Sequence, residues 1–100
     1  HERKGLMHEV SDALVALPGG LGTFEEILEA LTWSVLKYHT KPVALLDVND
    51  YWGPLIASLD RAVEEGFFRA DHRALLIVES DPERLYERLS AWQDPDLPIV

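Results

Sequence analysis

Cysteine is absent from this chain, which excludes a disulfide framework, a thiolate zinc site and a thiol nucleophile. Long apolar runs are missing too. None approaches the ~18 residues that cross a bilayer, so no membrane partner is expected. Basic residues are few: 9 Lys and Arg stand against 18 Asp and Glu, a formal net charge of -9. Such a surface repels nucleic-acid backbones, so no nucleic-acid partner is expected either. His8, His39 and His72 lack any ligand spacing, and no metal site is expected. The chain starts at His1, without an initiator Met. The N-terminus therefore reads as trimmed, and the absence of a targeting segment carries little weight. What remains is globular: 47% hydrophobic and 27% charged residues suit one α/β domain over residues 1–100.

Apolar runs alternate with helical periodicity, the pattern of a parallel sheet with helices between its strands. Arg3 to Val10 reads as a short helix. Ala13 to Leu17, Val43 to Asp47 and Ala74 to Val78 read as strands buried on both faces, because they are continuously apolar. From Thr23 to about Tyr38, apolar residues fall at Phe24, Ile27, Leu28, Leu31, Val35 and Tyr38, at helical spacing, and Lys41-Pro42 ends the element. Trp52, Leu55, Ile56, Leu59 and Val63 mark another helix closed near Gly66. A final one follows Ser80 or Asp81 as cap, with Pro82 in its first turn and Leu85, Leu89 and Trp92 facing inward. The fold class is α/β: a Rossmann-like, doubly wound parallel sheet with helices on both faces. Three strands leave exposed edges, so further strands are expected beside them, from preceding sequence or another chain.

Between the first strand and the long helix lies Pro18-Gly-Gly-Leu-Gly-Thr-Phe-Glu-Glu26. A strand, a glycine turn and a helix start make an anion site. The first helical N–H groups have no intrahelical partner, the dipole places positive charge there, and glycines let a phosphate approach the backbone. Gly19, Gly20, Leu21, Gly22 and Thr23 are the candidate phosphate ligands, with Glu26 the acid beside them. Thr23-Phe-Glu-Glu26 also spells a capping box, in which Thr23 caps the helix and Glu26 reaches back to its N–H. The turn departs from G-x-G-x-x-G and has no Lys in Walker position, so neither NAD nor ATP is indicated and no cofactor is expected.

This segment resembles the P-G-G-x-G-T-x-x-E motif of the LONELY GUY (LOG) family of phosphoribohydrolases, long labelled "lysine decarboxylase". His1-Glu2-Arg3-Lys4 is similar to the end of that family's M-x-x-R-K motif, at the family's separation from the glycine turn. Leu31-Thr-Trp-Ser-Val-Leu-Lys-Tyr-His-Thr-Lys-Pro42 and Ala62-Val-Glu-Glu-Gly-Phe67 continue the likeness, which covers nearly the whole chain. Val35 stands where the family commonly has Gln. The resemblance implies hydrolysis of the N-glycosidic bond of a nucleoside 5'-monophosphate, AMP or a cytokinin riboside monophosphate, giving free nucleobase and ribose 5-phosphate. It implies Arg3 and Glu26 as the catalytic pair, and Lys4, Gly19 to Thr23, Glu25 and Thr32 as substrate contacts. It also implies that these residues are the C-terminal half of a longer domain, and a homodimer or higher homo-oligomer joined through the Thr23–Tyr38 helix; a cytoplasmic location is expected.

Physical roles fit these assignments. Cleaving this bond builds positive charge on the ribose, which a carboxylate such as Glu26 stabilises. A phosphate beside that carboxylate calls for a cation, and the planar fork of Arg3 suits it, with Lys4 assisting. Unaided by motifs, Arg3 reads as a solvated terminal residue, Thr32 as helix surface, and Glu25 as solvated or at an interface. The label of decarboxylase does not fit, because Lys4, Lys37 and Lys41 are the only lysines and none follows a recognisable pyridoxal-phosphate motif. The rival from another class is a non-catalytic carrier of a phosphorylated ligand, such as the molybdenum-cofactor carriers, which needs the glycines and a cation but not Glu26.

Overall fold

The computed structural model describes residues 7–10 and 13–99. Its strands are β1 (Met7–Val10), β2 (Ala13–Ala16), β3 (Val43–Leu46) and β4 (Leu76–Glu79), and its helices α1 (Leu21–Val35), α2 (Gly53–Glu64), α3 (Ala70–Arg73) and α4 (Pro82–Ala91). The sheet order is β1-β2-β3-β4. β2, β3 and β4 are parallel, with Leu14 opposite Val43 and Val43 opposite Leu76. β1 runs antiparallel to β2, Met7 opposite Ala16 and Val10 opposite Ala13.

The helix expected over Arg3–Val10 is corrected at Met7–Val10, which is strand. Eight residues are too few to hold a helix on propensity alone. A parallel edge strand offers a row of unpaired N–H and C=O groups, and the segment two residues upstream closes onto it as a hairpin arm. Arg3 and Lys4 lie outside the described residues.

Period-two alternation along the strands sorts the core. Ala16, Val43, Leu45 and Leu76 face the side covered by α1 and α2, where they meet Ile27, Ala30, Leu31 and Trp52. Ala44 and Ile77 face the other side, where Leu85, Leu89 and Trp92 of the α4 segment cover them. Right-handed crossovers between strands added in one direction put α1 and α2 on the same face, and α4 returns on the opposite one. Helices therefore flank both faces, as expected.

The α1 stripe differs from its apolar spacing. Thr23, Ile27, Ala30, Leu31 and Ser34 are buried, whereas Leu28 and Tyr38 are exposed. Small residues at 30 and 34 let the helix lie close to the sheet, and the larger Leu28 and Tyr38 are left outside. The helix also stops earlier than Lys41-Pro42 suggests. Lys37 adopts φ 66, its N–H donates to the Ser34 carbonyl at 3.1 Å, and the Tyr38 N–H donates to the Trp33 carbonyl at 2.8 Å. These are the two bonds of a Schellman cap, with Lys in the place Gly usually fills. The Trp33 and Tyr38 rings meet edge-on across it, centroids 6.2 Å apart. α2 ends in the same cap, this time on Gly66 at φ 84, with Gly66 N–H to Val63 and Phe67 N–H to Ala62.

The third strand starts two residues later than Ala74, because α3 and the turn after it occupy that stretch. His72 of α3 is buried and bonds through Nε2 to the Pro98 carbonyl at 2.7 Å, tying down the chain beyond α4. Asp81 occupies the N-cap position of α4 but makes no side-chain cap. The Glu79 carboxylate instead accepts from the Ser80 and Asp81 N–H groups at 3.2 and 3.3 Å.

Ahead of α3, Arg69 donates to both oxygens of Asp71 at 2.9 and 2.7 Å. That fork holds the Asp71 carboxyl at about 2, below its ordinary 3.8. A depressed folded pKa stabilises above the unfolded value, so this contribution is present above pH ~4 and is lost as pH falls toward 2. Arg69→Ala is expected to return the Asp71 midpoint to ~4, read by NMR titration of its side-chain carboxyl.

Candidate active site

The glycine turn leaves the carboxyl end of β2 and enters α1, at the sheet edge where ligands of open α/β folds bind. Gly20 is the N-cap residue, at φ -104, with no side-chain cap bond, and no acidic residue stands in the first turn. The first α-helical bond runs from the Phe24 N–H to the Gly20 carbonyl at 3.0 Å. The N–H groups of Leu21, Gly22 and Thr23 therefore precede the helical ladder and face away from it. A Cβ added at Gly20 would meet nothing within 4 Å, so packing does not require the glycine.

The capping box is corrected here. Thr23 is the third residue of the helix, not its cap, and is 0% exposed. Its Oγ1 has no hydrogen-bond partner among the described residues, and neither does the buried Oε1 of Glu26. Two polar atoms buried without partners at one helix start run against the rule that such atoms are satisfied, and each costs about 1–3 kcal/mol. Both side chains thus stand at the start of α1 with hydrogen-bonding capacity that the described residues leave unused.

The remaining candidates are placed as follows. Gly19 precedes the N-cap, Leu21 is 84% exposed on the first turn, and Glu25 is exposed beside it. Thr32 lies nine residues beyond Thr23, about 13 Å along the axis. Its hydroxyl donates to the Leu28 carbonyl at 2.7 Å, and it borders a groove of about 370 Å³ with Leu28, Val35, Leu59 and Phe68. The structure thus gathers Gly19 to Thr23 with Glu26, and sets Thr32 apart on the groove.

Two residues that sequence reasoning had not assigned to the site stand against the turn. The Tyr51 hydroxyl donates to the Gly19 carbonyl across 32 residues. Trp52, fully buried, packs on Phe24 of the first turn with ring centroids 5.4 Å apart. Both come from the loop after β3, which shares the carboxyl edge of the sheet with the glycine turn. That shared edge was the signal available in the sequence.

With this geometry in hand, the family model described as "Possible lysine decarboxylase" matches residues 1–89. The chain belongs to that family. A protein of Oryza sativa subsp. japonica named "Probable cytokinin riboside 5'-monophosphate phosphoribohydrolase" is 47% identical over the whole chain, which spans 41% of the relative. Two from Arabidopsis thaliana named "Cytokinin riboside 5'-monophosphate phosphoribohydrolase" are 45% and 44% identical over 92% of the chain, covering 43% of each. The chain thus spans about two-fifths of the length of these curated relatives. Among the described residues neither lysine stands at the turn: Lys37 lies past the far end of α1, about 25 Å along the helix from Gly20, and pairs with Asp96 at 3.7 Å, and Lys41 precedes the amino end of β3.

Proposed function

We propose that this family member cleaves the N-glycosidic bond of a nucleoside 5'-monophosphate, releasing a nucleobase and ribose 5-phosphate. The observation that carries the reading is the unpartnered pair, Thr23 Oγ1 and Glu26 Oε1, at a helix start whose first N–H groups are free of the helical ladder. The N–H groups of Leu21, Gly22 and Thr23, with the Thr23 hydroxyl, hold the 5'-phosphate. The Glu26 carboxylate then lies toward the ribose and stabilises positive charge as the bond to the base lengthens, or orients the water that attacks C1′. The water oxygen bonds to C1′, the bonding pair leaves with the base, and the proton released by water balances the proton the base takes up. Arg3 supplies the cation that lets phosphate and carboxylate coexist, with Lys4 beside it.

The names of the relatives support a substrate of this class, and favour hydrolysis over a carrier that holds its ligand intact. The test is incubation of the full-length protein with AMP and with its N6-prenylated analogue, followed by chromatography of the products. Free base with equimolar ribose 5-phosphate supports the reading; tight binding without cleavage supports the carrier.

We also propose that the protein is cytoplasmic and pairs with a second copy through α1. Leu28, Trp33, Leu36 and Tyr38 are exposed along or just beyond that helix, and Phe67, 86% exposed, stands at the groove beside it. Exposed apolar side chains along one helix support an interface there. No helix among the described residues is long and apolar enough to cross a membrane. Sedimentation of the full-length protein should show a dimer; a monomer at high concentration contradicts it.

A further inference from the structure

We propose that Tyr51 is a positioning residue for the glycine turn, acting through the Gly19–Gly20 peptide, an assignment that rests on reading the turn as the phosphate cradle. Gly19 and Gly20 bring the widest backbone freedom of any residues to the point where the site needs one orientation. The peptide between them is planar and trans, so its C=O and N–H point in opposite directions. A hydrogen bond that fixes the Gly19 carbonyl therefore also fixes the Gly20 N–H. The Tyr51 hydroxyl makes that bond. On the other side of the same residue, the Gly20 carbonyl accepts from the Phe24 N–H. The N-cap residue is thus held at both of its peptides.

The phenol itself stands on a fixed support. The Tyr51 N–H bonds to the Val48 carbonyl at 3.0 Å, and Asn49 and Asp50 turn the loop with φ 55 and 56. The Trp52 N–H donates to Asp47 Oδ1 at 2.9 Å, and the Tyr51 ring meets the buried Trp52 edge-on at 5.2 Å. Trp52 in turn packs on Phe24 in the first turn of α1. One loop therefore grips the turn before and after the N-cap: Tyr51 by a hydrogen bond at Gly19, Trp52 by packing at Phe24. Tyr51 remains 42% exposed, so its hydroxyl is not part of the core and can be removed without opening a cavity. Its effect falls on the order of the turn, and hence on how much freedom the phosphate must freeze on binding.

The experiment compares Tyr51→Phe with wild type in the full-length protein. Loss of one hydrogen bond that preorders the phosphate ligands raises KM for AMP and Kd for ribose 5-phosphate roughly 3- to 10-fold. kcat stays within about twofold, because what is lost is binding shared by ground and transition states. Hydrogen exchange of the Gly20 to Thr23 amides quickens, while that of β3 is unchanged. Tyr51→Leu, which also removes the ring, gives the same kinetic split with a lower melting temperature. Kinetics and exchange identical to wild type in Tyr51→Phe, in a protein that Glu26→Gln inactivates, overturn the positioning role and leave the phosphate cradle standing. A fall in kcat at unchanged KM also overturns it. Wild-type protein that neither binds nor hydrolyses AMP removes the cradle and the positioning role together.

Discussion

Glu26→Gln is expected to lower AMP hydrolysis at least ~100-fold in the full-length protein while leaving it folded, by analogy with removing one preorganised electrostatic group. The two parts of that expectation have separate causes. Turnover falls because an amide keeps the shape of the carboxylate but not the charge that opposes positive charge on the ribose. Stability holds because the carboxylate does little for the fold: it completes no cap, and its buried Oε1 has no partner among the described residues. Relieving a half-buried charge of that kind is neutral or mildly favourable. Steady-state kinetics and a thermal melt on the same preparation check both. Unchanged turnover removes Glu26 from the chemistry, and a collapse in melting temperature makes it a structural residue.

Gly20→Ala is expected to separate binding from folding in the same way. The added methyl meets nothing within 4 Å, and φ -104 is outside the left-handed region that favours glycine, with ψ -146 at the margin of the extended region. The unfolded chain loses freedom, worth about 0.4–1 kcal/mol of stability, and a poorer N-cap takes back a similar amount. The melting temperature should therefore move little. On the proposed reading the methyl also narrows the open space beside the turn that a phosphate would need. Displacing even one charge-assisted hydrogen bond, worth about 1.5–3 kcal/mol, weakens ribose 5-phosphate binding roughly 10- to 150-fold. Calorimetric titration reads it, and wild-type affinity in the variant contradicts a phosphate at this helix start.

Local chemistry written into the sequence was legible, and long-range placement was not. β2 and β3 were readable because a strand buried on both faces is continuously apolar, and the end of α2 because Gly66 is the residue a left-handed cap prefers. The end of α1 was hidden because Lys37 takes that same conformation without being glycine. Its start was misplaced because Thr23 and Glu26 satisfy the capping-box spelling while Gly20 holds the cap position. Thr23 is instead buried inside the helix, its hydroxyl without a partner among the described residues. β1 was read as helix because nothing local in Met7-His-Glu-Val10 announces that the edge of β2 needs a partner. Tyr51 went unassigned for the same reason: its meaning comes from a carbonyl 32 residues away. The family motif carried the glycine turn and Glu26 directly, whereas Arg3 and Lys4 lie outside the described residues.

The most direct measurement is a crystal structure of the full-length protein bound to ribose 5-phosphate or to AMP at a pH that slows turnover. The account predicts the phosphate within hydrogen-bond distance of the Leu21, Gly22 and Thr23 amides, with the Glu26 carboxylate turned to the anomeric carbon. A nucleotide bound with its phosphate elsewhere, the turn before α1 empty and Glu26 directed away from the sugar, would contradict it.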